Sequence, residues 1–237
     1  METPFAIRYH NIKLQVERLY QSADQAQISW SPGLEDVSFV LKGGECVHLD
    51  SAIPSANRLL LTALAGQTRI EAGAIWIDHH GQWLNLPQLA PRQISQIQAQ
   101  TIGYLGPSAD LRSAPTGMHC VLTKLIELGF SRSQAEAQAR HVLDWVGLPR
   151  RLWQKTPEDL SLAELHQVNL ARTFAVDYSI VVIDLSFEQL DPANQRRLLE
   201  LIAYRKALDS CFIGHFGQDE LYREICDRSL SIHAPTP

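Results

Sequence analysis

The stretch that decides the fold runs from Gly147 to Asp191 and reads GLPRRLWQKTPEDLSLAELHQVNLARTFAVDYSIVVIDLSFEQLD. Its four consecutive apolar residues, Ile180 to Ile183, predict a strand that is buried on both faces, which is typical of a parallel sheet. A helical pattern precedes this strand at about 163–177, and another follows it at 192–206. Strands that alternate with helices in this way predict an α/β fold with a mostly parallel core sheet.

β-structure dominates the first half of the chain. Residues 45–50 (ECVHLD) predict a short buried strand, and an apolar helical pattern follows from about Asn57 to a stop at Gly66. The turn His79-His80-Gly81 joins two strand-like segments. We therefore expect an antiparallel β part within residues 5–41 and 74–86. Its individual strands are predicted at 5–16, 26–30, 37–41, 74–78 and 82–86.

Helical patterns fill the middle of the chain and return near its end. Apolar residues at helical spacing predict helices over 121–128 and 131–146. A short strand at 211–214 and a helix at 218–226 complete the pattern. No obvious linker divides the chain, so we expect one domain over residues 1–237, with a helical subdomain at about 108–160.

Composition narrows the class of protein. The 237 residues are 45% hydrophobic with a formal net charge of −5, which is typical of a globular domain and argues against a broad nucleic-acid-binding surface. The four cysteines form no CxxC pair, so no zinc or redox motif is indicated. The start of the chain does not have the pattern of a signal peptide. We expect a cytoplasmic protein with no metal site, no nucleic-acid partner and no transmembrane segment.

Two strand ends carry the most informative residues. One buried strand ends near Asp50 and opens into a helix, and another ends at Asp184. This is the layout of a P-loop fold, in which backbone N–H groups cradle phosphates and a second strand offers a carboxylate to Mg²⁺. Further informative segments are Gly44–Leu49, Leu148–Trp153, Ser161–Arg172 and Asp177–Asp191.

With these segments the sequence resembles the ATP-binding cassette (ABC) ATPases, and among them the PhnL-type cassette subunit of the bacterial carbon–phosphorus lyase (phosphonate) system. The resemblance covers about residues 5–233. It implies an ABC-type P-loop NTPase-like fold with a mostly parallel core sheet, an antiparallel β part and a helical subdomain.

The phosphate-binding loop departs from the family pattern GxxxxGK[ST], because the same eight positions read SAIPSANR, residues 51–58. Both glycines are missing, and Pro54 has no N–H to offer a phosphate. Asn57 stands where the family has its lysine, and Arg58 where it has the hydroxyl that binds Mg²⁺. The resemblance therefore assigns degenerate nucleotide-binding positions to Ser51, Pro54, Ser55, Ala56, Asn57 and Arg58.

The family signature LSGG is also altered, because Leu162 replaces its first glycine. The signature-like residues are Ser161, Leu162, Ala163 and Glu164. The same Ser161 and Glu164 form an S-x-x-E pattern, which predicts a capping box at a helix start. Along that helix we expect Gln167, Asn169 and Arg172 on an exposed or partly exposed face.

The second strand keeps its carboxylate but loses the next one. Asp184 is Walker-B-like, whereas Leu185 stands where the family has the glutamate that orients the attacking water. Asp191 is D-loop-like, and Pro107 stands where the family has a glutamine. The switch histidine would align near Gly217, so His215 is the candidate for that role.

These departures predict a pseudo-ATPase, because they remove both positioning and electrostatic stabilisation from phosphoryl transfer. We expect no catalytic residue, no ATP hydrolysis and no cofactor. The resulting hypothesis is a scaffold or assembly component that binds other protein subunits, such as an ABC-type partner or a multi-subunit complex. Membrane association would then come only through a partner.

Two alternatives stay open. The chain is an ATP-binding subunit of a phosphonate system with an unusual loop, in which Asp184 serves ATP with Mg²⁺. Otherwise it is an anion or nucleotide sensor without hydrolysis, in which Asn57 and Arg58 are the donors. A purely structural role for Asp184 is to cap nearby N–H groups or to pair with an arginine.

Overall fold

Two β-sheets form the core of this computed structural model, which describes residues 11–22, 33–51, 53–107, 111, 114–217 and 220–232. The first sheet is antiparallel and has the order β2-β1-β4-β5. Its strands are β1 (Ile12–Gln21), β2 (Leu34–Lys42), β4 (Ala72–His79) and β5 (Gln82–Asn85). The predicted antiparallel part is thus confirmed, while the strand residues expected at 5–10 and 26–30 lie outside the described residues.

The second sheet is parallel at every pairing and has the order β6-β7-β8-β3-β9. Its strands are β3 (Cys46–Asp50), β6 (Ile102–Leu105), β7 (Ile180–Ile183), β8 (Cys211–Gly214) and β9 (Arg228–Ser231). All four residues of β7 are buried, as predicted from their apolar run. The sequence patterns did not predict β6 and β9, which are the two edge strands.

Six α-helices accompany the sheets in the described residues. They are α1 (Pro54–Leu64), α2 (Pro91–Gln100), α3 (Gly117–Glu127), α4 (Arg132–Trp145), α5 (Leu162–Phe174) and α6 (Pro192–Ala207). Helix α1 begins at Pro54 rather than near Asn57, because proline is accepted in the first turn of a helix. The helix predicted at 218–226 is wrong, since only a short 3-10 turn forms over Glu220–Glu224.

The parallel sheet separates two hydrophobic clusters. Val181 and Ile183 of β7 pack with α3, α4, α5 and α6 on one face. Ile180 and Val182 face the other cluster, which contains α1 and the antiparallel sheet. Alternate residues of a strand point to opposite faces, so β7 needs apolar side chains at every position.

Helices α3 and α4 lie within the region predicted to be a helical subdomain. Thr116 caps α3 by accepting a hydrogen bond from the His119 N–H, and Ser131 caps α4 in the same way through the Gln134 N–H. The division into one domain with a subdomain at about 108–160 remains a prediction. In the part of the chain that the structure describes, no helix is both long enough and apolar enough to cross a membrane.

Candidate functional site

The carboxyl ends of three neighbouring parallel strands bring the candidate residues together. β7 ends just before Asp184, β8 ends just before His215, and β3 ends at Asp50, from which the chain enters α1. The Asp184 N–H donates to Leu105 O at 2.8 Å, and the His215 N–H donates to Ile183 O at 3.2 Å. Ligands of open α/β sheets bind at this edge, so it is the candidate site.

The loop between β3 and α1 has an ordinary backbone at its described positions. None of residues 51 and 53–58 has a positive φ, in keeping with the loss of both glycines. The Ser51 hydroxyl accepts the Ile53 N–H at 3.1 Å. No side chain of the described residues caps the first turn of α1, and Pro54 and Ser55 at that turn are exposed. An uncapped helix start attracts anions, because its N–H groups and the helix dipole point outward.

Asn57 is buried deepest of the polar side chains here, with 1% of its surface exposed. Its Nδ2 atom lies 3.1 Å from His215 Nδ1, while its Oδ1 atom is buried and has no hydrogen-bond partner among the described residues. His215 Nδ1 also lies 3.2 Å from Leu49 O. The switch candidate His215 therefore contacts Asn57, the residue at the lysine position. One polar atom of the Asn57 amide stays unsatisfied.

Asp184 has two described side-chain partners at its Oδ2 atom. The Tyr104 hydroxyl donates to it at 2.9 Å, and Arg58 Nε lies 3.6 Å away. Burial raises the pKa of Asp184 above its ordinary value, against the opposing effects of Tyr104, Arg58 and His215. The pairing of Asp184 with an arginine is thus confirmed. Leu185 is buried, so it belongs to the apolar core.

A stack of aromatic rings lies behind His215. His48 is stacked on Tyr222, with ring centroids 4.0 Å apart, and also faces His215 at 5.9 Å. The Phe216 N–H donates to His48 Nδ1 at 3.4 Å. Burial lowers the pKa of His48 to about 4, so this ring is neutral at physiological pH.

The signature-like segment is joined to the D-loop-like segment. Ser161 and Glu164 form the predicted capping box at the start of α5, and Leu162 is 62% exposed. Asp191 caps α6 by accepting the Ala193 and Asn194 N–H groups. The Asn194 amide donates to both Ala163 O and Asp191 Oδ2, at 3.0 and 2.5 Å. The nucleotide-related roles of these residues remain predictions.

Two polar residues of α5 were placed wrongly from the sequence. Asn169 is buried and donates to Gly106 O at 2.7 Å, and Gln167 is buried and donates to Val146 O at 3.1 Å. The expected exposed face does not exist there, because other elements cover α5 on several sides. Arg172 is partly buried.

Tyr104 is the site residue that the sequence did not indicate. It lies on β6, which neighbours β7, and the register pairs it with Val182. Its side chain reaches Asp184 only because of this strand order. A polar residue near the end of a strand is a weak signal until the strand order is known.

The relatives found by sequence include three kinds of ATP-binding protein. The methionine import ATP-binding protein MetN of Carboxydothermus hydrogenoformans is 26% identical over 198 residues, which cover 82% of this chain and 56% of MetN. The energy-coupling factor transporter ATP-binding protein EcfA2 of Leuconostoc mesenteroides is 25% identical over 85% of this chain and 70% of its own length. The lipoprotein-releasing system ATP-binding protein LolD of Saccharophagus degradans is 26% identical over 76% of this chain and 77% of LolD. No protein-family model matches the sequence.

Solved structures agree on the fold. A dimeric post-hydrolysis state of the ATP-binding cassette MJ0796, bound to ADP and Pi, matches with a TM-score of 0.80 at 16% identity, covering 94% of this chain and 98% of that one. The cbiO1 protein of Clostridium perfringens, part of the ABC transporter complex cbiONQ, matches with a TM-score of 0.71 at 17% identity, covering 94% and 85%. The predicted cassette fold is therefore confirmed.

These relatives correct two predictions. The interpretation as a pseudo-ATPase that acts as a scaffold is wrong, because the relatives are ATP-binding proteins of import, transport and release systems. The expectation of no cofactor is wrong for the same reason, since ATP is the ligand that their names state. The chain spans little more than half of the length of MetN. In fold and in sequence, it is a relative of the ATP-binding cassettes of ABC transporters.

Proposed function

We propose that the chain is an ATP-binding subunit of an ABC-type transport system, with an unusual phosphate-binding loop. The observation that carries this proposal is the position of the uncapped start of α1. It lies at the carboxyl edge of the parallel sheet, beside Asn57, Arg58 and His215. The sequence relation to three kinds of ATP-binding protein supports ATP as the ligand.

The loop and first turn supply the donors for the phosphates in this proposal. The helix dipole and the first-turn N–H groups attract the anion even without glycines. Ser55 is exposed there, and its hydroxyl adds a donor. Asn57 contributes its amide, and Arg58 contributes a guanidinium fork that suits phosphate oxygens. Ser51 and Ala56 hold the turn through Ile53, whose N–H donates to the Ser51 hydroxyl and whose carbonyl accepts from the Ala56 N–H.

Partners follow from the same relatives. The cbiO1 protein is part of a transporter complex, and MJ0796 is seen as a dimer. We propose that this chain likewise pairs with a second cassette and associates with the membrane through a membrane-spanning partner. In that pairing, the Ser161–Glu164 turn and Asp191 lie on one connected surface, held by Asn194. A role in a phosphonate system of the PhnL type is the narrower form of this proposal, supported by the sequence resemblance alone.

Calorimetric titration of ATP into the purified full chain tests the proposal. We expect saturable binding with a Kd below about 1 mM, equivalent to more than about 4 kcal/mol. AMP has only one phosphate, so it should bind at least about tenfold more weakly if the α1 start holds the terminal phosphates. Absence of ATP binding at millimolar concentration, with and without Mg²⁺, would refute the proposed function.

A further inference from the structure

The donors at the candidate site do not fit a magnesium ion. Mg²⁺ requires a near-octahedral set of oxygen ligands. Position 58, which the family resemblance assigns to a metal-binding hydroxyl, carries a guanidinium. The Oδ2 atom of Asp184 already accepts from Tyr104 and faces Arg58 Nε at 3.6 Å. A fixed positive charge 3.6 Å from the Asp184 carboxylate opposes the binding of a metal cation there.

Arg58 is placed to supply the positive charge that a metal ion would otherwise supply. Its side chain is 63% exposed, whereas that of Asp184 is 15% exposed. The ion pair therefore holds one side of the guanidinium at the sheet edge through Nε and leaves most of the side chain accessible. The guanidinium has five N–H donors in a planar fork, which matches the spacing of phosphate oxygens.

The Asn57 amide supplies an independent indication of an anion. Leu49 O can only accept, so the short contact to His215 Nδ1 requires a proton on that nitrogen. The amide atom that faces Nδ1–H at 3.1 Å must then be the oxygen, an assignment that differs only by rotating the amide. The NH₂ group consequently takes the buried position that has no partner. A buried donor without an acceptor, next to Arg58, indicates an anionic ligand.

We propose that this chain binds the phosphates of ATP without a divalent cation, through the Arg58 guanidinium and the Asn57 amide. The inference rests on the proposed function, since it names the chemistry of the same site. Asp184 pairs with the Nε side of Arg58 and leaves the rest of the guanidinium to the phosphates in this arrangement. Added Mg²⁺ then competes with Arg58 for the phosphate oxygens and lowers the affinity.

The experiment is a titration of ATP into the full chain, first in EDTA and then in excess MgCl₂. We expect binding in EDTA to be tighter than binding in MgCl₂, by up to about tenfold. Binding in EDTA that is equal to or weaker than binding in MgCl₂ overturns the inference and leaves the proposed function intact. Absence of binding in both conditions overturns the proposed function, and this inference with it.

Arginine variants make the test specific. Arg58→Ser should weaken binding in EDTA at least about tenfold and make the remaining binding dependent on Mg²⁺. Arg92→Ser is the matched control, because Arg92 is also exposed and follows a proline in the first turn of its helix, α2. Arg92→Ser should leave both Kd values unchanged. Equal effects of the two substitutions, or unaltered binding by Arg58→Ser in EDTA, would overturn the assignment of Arg58.

Discussion

Replacement of Asn57 by leucine should stabilise the ligand-free protein and strongly reduce its response to ATP. One polar atom of the Asn57 amide is buried without a partner, and removing such an atom recovers about 1–3 kcal/mol. The substitution also removes the contact with His215, a neutral hydrogen bond worth about 0.5–1.5 kcal/mol. His215 Nδ1 keeps Leu49 O as a partner. At the midpoints of these two ranges the balance is a gain of about 1 kcal/mol, which raises Tm by about 2–4 °C in a domain of this size.

Thermal unfolding followed by circular dichroism, with and without ATP, measures both effects. Wild-type protein at an ATP concentration ten times its Kd should gain about 1.4 kcal/mol, or about 3–6 °C. Asn57→Leu should show less than about 1 °C of this shift, because its side chain offers no donor. Destabilisation of Asn57→Leu by more than about 1 kcal/mol, or an unaltered ATP shift, would refute the reasoning.

Asn194→Leu is the control for the same chemical change in a satisfied site. Asn194 is also 1% exposed, but its amide donates to Ala163 O and Asp191 Oδ2 and accepts from Arg197. Leucine there leaves these groups without their partner, and the cost should be about 2–4 kcal/mol. If Asn57→Leu raises the free energy of unfolding and Asn194→Leu lowers it, the difference lies in the unsatisfied atom of Asn57 and not in asparagine itself.

Three further outcomes can be measured. Ser161→Ala removes the cap of α5 and should lower the free energy of unfolding in urea by about 1 kcal/mol, and no loss would contradict the capping role. Burial lowers the pKa of His48 from 6.5 to about 4, so the contribution of His48 to the free energy of unfolding should be fully present above pH 6.5 and decrease as the pH falls toward 4. His48→Gln should therefore reduce the pH dependence of stability between pH 6.5 and 4 relative to wild type. Asp184→Asn removes a negative charge beside the phosphate site, so affinity for ATP in EDTA should rise about two- to fivefold with little change in stability, whereas weaker binding would contradict the role of Arg58.

The sequence predicted the strands and helices whose buried residues form a continuous or periodic apolar pattern along the chain. β7 is the clearest case, because each of its four residues faces one of the two hydrophobic clusters. Helix α2 was missed because its sequence PRQISQIQAQ buries only Ile97. The strands β6 and β9 lie at the two edges of the parallel sheet and have only four residues each: β9 buries none of its residues, and β6 is mostly buried but too short to leave a clear pattern. Such edge strands are defined by their pairing rather than by their own composition.

The candidate site was predictable in position but not in its contacts. The strand ends at Asp50 and Asp184 follow from local pattern, and the sheet edge follows from a parallel order. The contact of Tyr104 with Asp184 depends on β6 lying next to β7, which the sequence does not specify. The contact of His215 with Asn57 likewise depends on β8 lying beside β3. Contacts between elements that are distant in sequence can be predicted only when the order of the strands in the sheet is known.

The pseudo-ATPase prediction is wrong for a physical reason that lies in the loop. A missing family residue at positions 51–58 is a lost contact only where nothing replaces it. The position of the loop, however, is set by β3 and α1, whose apolar residues are intact. At that position Arg58 provides a cation and Asn57 a buried amide. If these side chains replace backbone donors, the affinity for ATP must be sensitive to substitution of residues 57 and 58. A glycine-rich loop is less sensitive, because its backbone N–H groups remain when a side chain is changed.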